Sequence, residues 1–228
     1  MQPPAGQAPP PVGRQPGQAQ DSHAVAAPRG GPLYDQPVLV VSQRTKLIEL
    51  ANEYAVFDAQ GQQIGAVAEV GQSTVRKALR FVSQFDQFLT HRLEVRDAGG
   101  PVLVVTRPAK LVRSRMQVAR PDGTPVGEIA QANVLDRIRF DLIAAGGPVG
   151  AIQAENWRAW NFAIIDAAGA EVARITKTWE GVARTLFTTA DNYVVHVHYR
   201  LPDPLASLVL ASALTVDTAL KQDDRGLN

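Results

Sequence analysis

One motif recurs five times along this chain and restricts its fold more than any other feature. Each copy is an apolar alternating run, a polar turn containing glycine, and a second apolar run. The copies are YAVFDAQGQQIGAVAEV (54–70), LEVRDAGGPVLVVTR (93–107), MQVARPDGTPVGEIAQ (116–131), FDLIAAGGPVGAIQAE (140–155) and NFAIIDAAGAEVARITK (161–177). Alternation places every second side chain on the same face. Asp or Gly falls where a tight turn needs positive φ. The pattern therefore predicts successive β-hairpins. LVVSQ (39–43) and KLIEL (46–50) add further strands. The turns are too irregularly spaced for a solenoid. More than ten strands do not remain one open twisted sheet, so two packed sheets or a closed barrel is expected.

Three segments lack this texture. Residues 1–37 hold nine of the 16 prolines, with Gln, Gly and Ala and no apolar periodicity. Such a segment buries too little apolar surface to offset its ordering entropy, and a disordered arm of polyproline character is expected. It reads either as a passive tail or as a ligand for a partner. It contains no apolar h-region, so no secretory leader is expected. Residues 73–85 place Val75, Leu79 and Val82 on one helical face and Arg76, Lys77 and Arg80 mostly off it, which predicts a short amphipathic helix. The run Leu205–Leu220 follows Pro202 and Pro204 as start signals and is apolar all round. As a helix of about 24 Å it is shorter than the ~30 Å hydrocarbon core. It carries Asp217, and a barrel lumen is a place to bury it.

The charge balance is nearly even, with 23 Lys and Arg against 22 Asp and Glu. That argues against a nucleic-acid binder and against an acidic disordered chain. Cysteine is absent, which excludes disulfides, thiolate metal sites and a Cys nucleophile. No phosphate-binding loop, dinucleotide fingerprint, HExxH or GxSxG motif is present. Asp58, Asp97, Asp122 and Asp166 fall at hairpin turns and need no catalytic explanation. His196 and His198 are two apart, so on a strand they share a face. They read as a polar outward face or as two ligands lacking a third. No enzyme is expected. Basic residues cluster locally: Arg76, Lys77 and Arg80, then Arg107, Lys110, Arg113 and Arg115, then Arg137 and Arg139. They fit anionic head groups, at about 1 kcal/mol each near an anionic membrane. They fit equally charged strand faces that deter edge pairing.

The stretch from Val172 to Gln222 resembles the C-terminal part of the phospholipid scramblase family. Ile175, Lys177, Trp179, Gly181, Phe187, Asp191, Asn192, Tyr193 and Asp217 stand in the family's places. The specific part is the spacing from Trp179 to Asp191-Asn192 to the terminal helix. Upstream the resemblance is looser and covers about Leu39–Gln222. It implies a tubby-like fold, shared with LURP-one-related proteins: a closed antiparallel barrel of about twelve strands around a hydrophobic C-terminal helix. It also implies a calcium segment, in which Asp191 and Asn192 are retained. There Thr189 replaces the first Asp and Arg200 stands near the last acidic place. Calcium takes six to eight oxygens, mostly anionic, so this segment is degenerate and Asp191-Asn192 read as a turn.

These readings give a disordered arm (1–37), a barrel domain (38–222) and a polar tail (223–228). The leading expectation is a scramblase-like protein that binds anionic phospholipids at a membrane surface and moves them passively between leaflets. Arg76, Lys77 and Arg80 are the head-group residues, and Asp191 and Asn192 the residual metal positions. No cofactor is expected, calcium being the one ion the resemblance raises. The location that follows is cytoplasmic and peripheral, at the inner face of the cell membrane. The alternative is a soluble scaffold whose Pro-rich arm recruits a protein partner.

Overall fold

A computed structural model describes residues 31–43, 53–70, 90–108, 114–132, 138–156, 161–177 and 192–223. Twelve strands follow in order: β1 (Val38–Gln43), β2 (Glu53–Phe57), β3 (Gln63–Glu69), β4 (His91–Asp97), β5 (Gly100–Arg107) and β6 (Arg115–Ala119). They continue as β7 (Pro125–Gln131), β8 (Arg139–Ala144), β9 (Gly147–Asn156), β10 (Asn161–Asp166), β11 (Glu171–Thr176) and β12 (Asn192–Val197). Each pairs antiparallel with its sequence neighbours, and β12 returns to β1 to close the barrel. At the seam Val40 stands between Val194 and Phe57. Closure removes the exposed strand edge that an open sheet would carry.

Each of the five repeated turns contains a glycine at positive φ: Gly61, Gly100, Gly123, Gly147 and Gly169. Four also use the aspartate read from the sequence. Asp58 Oδ1 accepts the amides of Gln60 and Gln62 at 2.9 and 2.8 Å. Asp166 Oδ1 does the same for Ala168 and Ala170, both at 2.9 Å. Asp97 accepts from Gly99 and Asp122 from Thr124. All five turns lie at one end of the barrel, the turn end. At the other end, the mouth, the strands flank residues 44–52, 71–89, 109–113, 133–137, 157–160 and 178–191, which lie outside the described residues. KLIEL (46–50) and the helix expected over 73–85 fall in them.

Helix α1 (Leu205–Asp223) starts at the turn end and packs against β5, β6, β7, β9 and β12. Strands so far apart around the wall meet the same helix only if it lies in the lumen. Leu208, Val209, Ala211, Ala213 and Leu214 are at most 3% exposed. The wall adds Leu103, Met116, Ile129, Phe140, Leu142, Ile152 and Phe162 to the same core. Each such side chain gains about 1.5–3 kcal/mol on burial, which is why a helix apolar on all sides is held inside. Two glycines let neighbouring strands pack closely: a Cβ on Gly127 would collide with the Ile143 carbonyl oxygen, and one on Gly150 with that of Ile165.

Two sequence boundaries are corrected. Residues 31–37, assigned to the arm, belong to the barrel. Leu33 is 2% exposed in the core, and Tyr34 and Leu33 line the turn end beside α1. Proline content hid one large apolar anchor among polar neighbours. At the other end α1 continues to Asp223, beyond the expected Leu220 and one residue into the expected tail.

Candidate functional site

The turn end is locked. The Ser207 hydroxyl donates to Asp203 Oδ1 at 2.7 Å, and Tyr34 Oη lies 3.1 Å from Ser207 Oγ. Arg120 donates to Tyr34 Oη at 3.1 Å and forms an ion pair with Asp203. One network thus ties the β6–β7 turn, the entry segment before β1 and the first turn of α1. Arg200 pairs with Asp35 at 3.3 Å in the open. A cavity of about 250 Å³ lies nearby, lined in part by Tyr34, Asp97, Arg120 and Asp122. Its two carboxylates already accept turn amides. Six aspartates (Asp35, Asp58, Asp97, Asp122, Asp166, Asp203) and two arginines (Arg120, Arg200) occupy this end.

The outer wall carries paired charges. Arg115 meets Glu128 at 3.2 Å across β6 and β7, and Arg139 meets Asp141 at 2.9 Å. Arg174 bridges Glu155 and Glu171, each at 2.6 Å. Its hydrogen bonds hold both carboxyls below their ordinary range, and the two carboxylates raise the guanidinium in turn. His198 Nε2 lies 3.0 Å from Glu171 Oε1. His196, half-buried near the end of β12, is held below its ordinary value by burial and then by the charge of His198. Among the described residues no group of three or more His, Asp or Glu could hold a metal ion.

The expected head-group residues Arg76, Lys77 and Arg80 lie outside the described residues, as does Asp191. Lys110, Arg113 and Arg137 do too. Asn192 is described and is corrected from a turn to the first residue of β12. Its backbone is in register with Ser42 and it is 8% exposed. Strand pairing at the barrel seam, not turn chemistry, fixes it there.

The sequence alone missed an arc of polar side chains on the inner wall at the mouth. Val67, Val95, Val105, Met116 and Ile129 are core residues facing the lumen. Two or four residues further toward the mouth, on the same faces, stand Glu69, His91, Arg107, Ser114 and Gln131. His91, Arg107, Ser114 and Gln131 are 7–9% exposed. His91 Nδ1 and Glu69 Oε1 are 2.6 Å apart, and His91 is in register with Arg107. Ser114 donates its amide to Gln131 Oε1 at 3.2 Å, and Gln131 returns its own to the Ser114 carbonyl at 2.8 Å. Parity was the available signal: polar residues continue the apolar face of five adjacent strands.

The family model described as Scramblase matches residues 23–220. A phospholipid scramblase family protein of Schizosaccharomyces pombe is 31% identical over 182 residues, 72% of this chain and 47% of that protein. The altered inheritance rate of mitochondria protein 25 of Saccharomyces cerevisiae is 24% identical over 197 residues, 72% of this chain and 59% of that one. Human phospholipid scramblase 2 is 23% identical over 245 residues, 94% of this chain and 80% of that one. The chain thus spans only about half the length of the first relative. A solved Arabidopsis thaliana protein superimposes with a TM-score of 0.45 at 14% identity, over 82% of this chain and 96% of that one.

Proposed function

The chain belongs to the phospholipid scramblase family, and from that membership we propose that it binds anionic phospholipids with the barrel mouth against a membrane surface. Lipid movement between leaflets is then passive, with no catalytic residue. The observation that carries this is the polarity of the barrel. The six segments at the mouth contain ten Lys and Arg against five Asp and Glu, and all three tryptophans, Trp157, Trp160 and Trp179. Cations near an anionic surface gain about 1 kcal/mol each, and Trp favours the interface of lipid and water. The turn end has the opposite charge and no Trp. Among the described residues no helix is long and apolar enough to cross a membrane, which favours contact from one side.

Within this reading Arg76, Lys77 and Arg80 contact head groups, and the protein works at the cytoplasmic face. Calcium adds nothing, because Thr189 and Arg200 stand where the family's segment needs acids and Arg200 is already paired with Asp35. The test is co-flotation with neutral and anionic liposomes across a salt titration, with and without calcium. The expected result is anionic-selective, salt-sensitive and calcium-independent binding, since exposed charge is screened within ~8–10 Å at physiological salt. Neutralising Arg76, Lys77 and Arg80 together should weaken it about a hundredfold, at roughly 1 kcal/mol per residue. Absence of binding to either liposome would sink the reading and leave the soluble scaffold with its partner-recruiting arm.

A further inference from the structure

The cavity at the turn end stands beside the point where the described chain begins. Its volume is about 250 Å³. Tyr34, Pro101, Val102 and Pro121 give it an apolar wall, and Asp97 an acidic one. The charge of Arg120, which also lines it, is cancelled by Asp203. Asp122 is already engaged, by the Thr124 amide and by a further contact, and adds only wall. Asp97 differs. Its Oδ1 accepts the Gly99 amide at 2.7 Å, and its Oδ2 has no partner among the described residues. That oxygen lies against Gly31: a Cβ built there would be 3.0 Å from it. Gly31 itself lines the cavity, and its carbonyl accepts the amides of Tyr34 and Asp35 at 2.9 and 3.3 Å. The turn so formed fixes the place from which residues 1–30 run.

We propose that residues 24–30 (AVAAPRG) occupy this cavity, with the Arg29 guanidinium on Asp97 Oδ2 and Pro28 against the apolar wall. Arg29 is two residues from Gly31, at most about 7 Å between Cα atoms, so its side chain reaches the carboxylate. Arg14 and Arg29 are the only Lys or Arg ahead of Gly31, and only Arg29 stands at the root. A guanidinium meets a carboxylate through paired N–H donors and stacks on an aromatic ring such as that of Tyr34. Size points the same way. The cavity is smaller than the roughly 300–1,000 Å³ of small-molecule sites and fits a few side chains. A separate partner or a second copy would lose translational freedom that a tethered segment has already lost. The family match begins at residue 23, eight residues ahead of Gly31, which groups this root with the barrel domain rather than with the Pro-rich sequence before it. The consequence is directional: residues 1–22 depart from the end opposite the mouth. With the mouth on a membrane they point away from it, although the docking itself does not depend on that reading.

The test is backbone ¹⁵N relaxation on the full chain in lipid-free buffer. Docking predicts order parameters of about 0.85 for the amides of Ala24, Val25, Ala26, Ala27 and Arg29, the value of rigid backbone, whereas a free segment falls below about 0.6. Arg29→Gln and Asp97→Asn should each lower these amides below about 0.6 and move the Val102 and Gly99 signals. The double variant should add nothing further. Asp97→Asn keeps an oxygen for the Gly99 amide, so the turn survives; if it does not, Arg29→Gln decides alone. Asp35→Asn, at a carboxylate that pairs with Arg200 in the open, should leave the order unchanged. Flexible amides at 24–27 in the unaltered protein overturn the proposal, as does order that Arg29→Gln leaves intact. Signals of Val102 and Gly99 that move with protein concentration while 24–27 stay flexible give the cavity to a second copy and overturn it too. No lipid enters this experiment, so its failure leaves the membrane reading standing, and loss of liposome binding leaves the docking standing.

Discussion

The two ends of one barrel solve opposite problems with the same kinds of residue. At the turn end, aspartates and arginines satisfy each other and the backbone. Asp58 and Asp166 each hold two turn amides, and Arg120, Tyr34, Asp203 and Ser207 form one closed network. Little polar capacity is left over. The sequence segments that join the strand ends at the mouth carry more cations than acids and all three tryptophans, and buried Gln131 and Ser114 keep donors without a partner among the described residues. Charge that is satisfied within the fold, as in the Arg120 and Asp203 pair, contributes to folding rather than to recognition. The same family of strands thus carries a clamped end and the end proposed to meet the membrane.

The largest expected effect tests the structural end. Leu208 is fully buried on the first half of α1, so Leu208→Ala should cost about 3–4 kcal/mol by transfer plus cavity. Denaturant unfolding should show a lower midpoint at an unchanged slope. A cost under about 1 kcal/mol would mean the lumen collapses around the helix, against the packed interior seen here. Next comes the clamp. Arg120→Met leaves Asp203 and the Tyr34 hydroxyl short of a partner in a half-buried setting, at about 2 kcal/mol. It should leave liposome binding untouched. The converse holds at the mouth. Neutralising Arg76, Lys77 and Arg80 should change stability by less than about 0.5 kcal/mol, as for exposed substitutions away from packed features, while binding falls. A variant that moves both quantities together would erase the distinction between the two ends.

The sequence told these ends apart only in part. Hairpin chemistry is local, so all five turns could be read: a glycine such as Gly123 or Gly169 sits where only positive φ serves. The terminal helix could be read because no other burial suits a segment apolar on every side. The β12–β1 pairing joins residues 150 or more positions apart, and no local pattern encodes it. Leu33 was hidden by the prolines around it, although its burial depends only on one side chain reaching the core. The arc of Glu69, His91, Arg107, Ser114 and Gln131 became visible only once the barrel showed which parity faces inward. From the sequence alone Arg107 reads as one member of a basic cluster. Arg76, Lys77 and Arg80 are legible as a cluster, and their proposed role rests on the strand ends that flank them in sequence.

The smallest effect sharpens the comparison from the outer wall near the turn end. His196 has its folded pKa below the ordinary 6.5, chiefly through burial and then through the charge of His198. An unfolded histidine binds its proton first as pH falls, so the unfolded state carries more protons in this window. The contribution is fully present above pH 6.5 and is lost as pH drops from there through the folded value. Glu155 and Glu171 follow the same sign lower down: their folded values lie below 4.5, and their contribution is lost as pH falls beneath it. Water reaches all three groups, so solvent screening keeps each step below about 1 kcal/mol. His196→Asn should therefore flatten stability between pH 6.5 and the onset of the carboxylate limb, and Arg174→Gln should flatten only the limb below 4.5. Both are measured by urea unfolding at closely spaced pH. If the wild-type loss near pH 6 survives His196→Asn, the burial of His196 is not its cause.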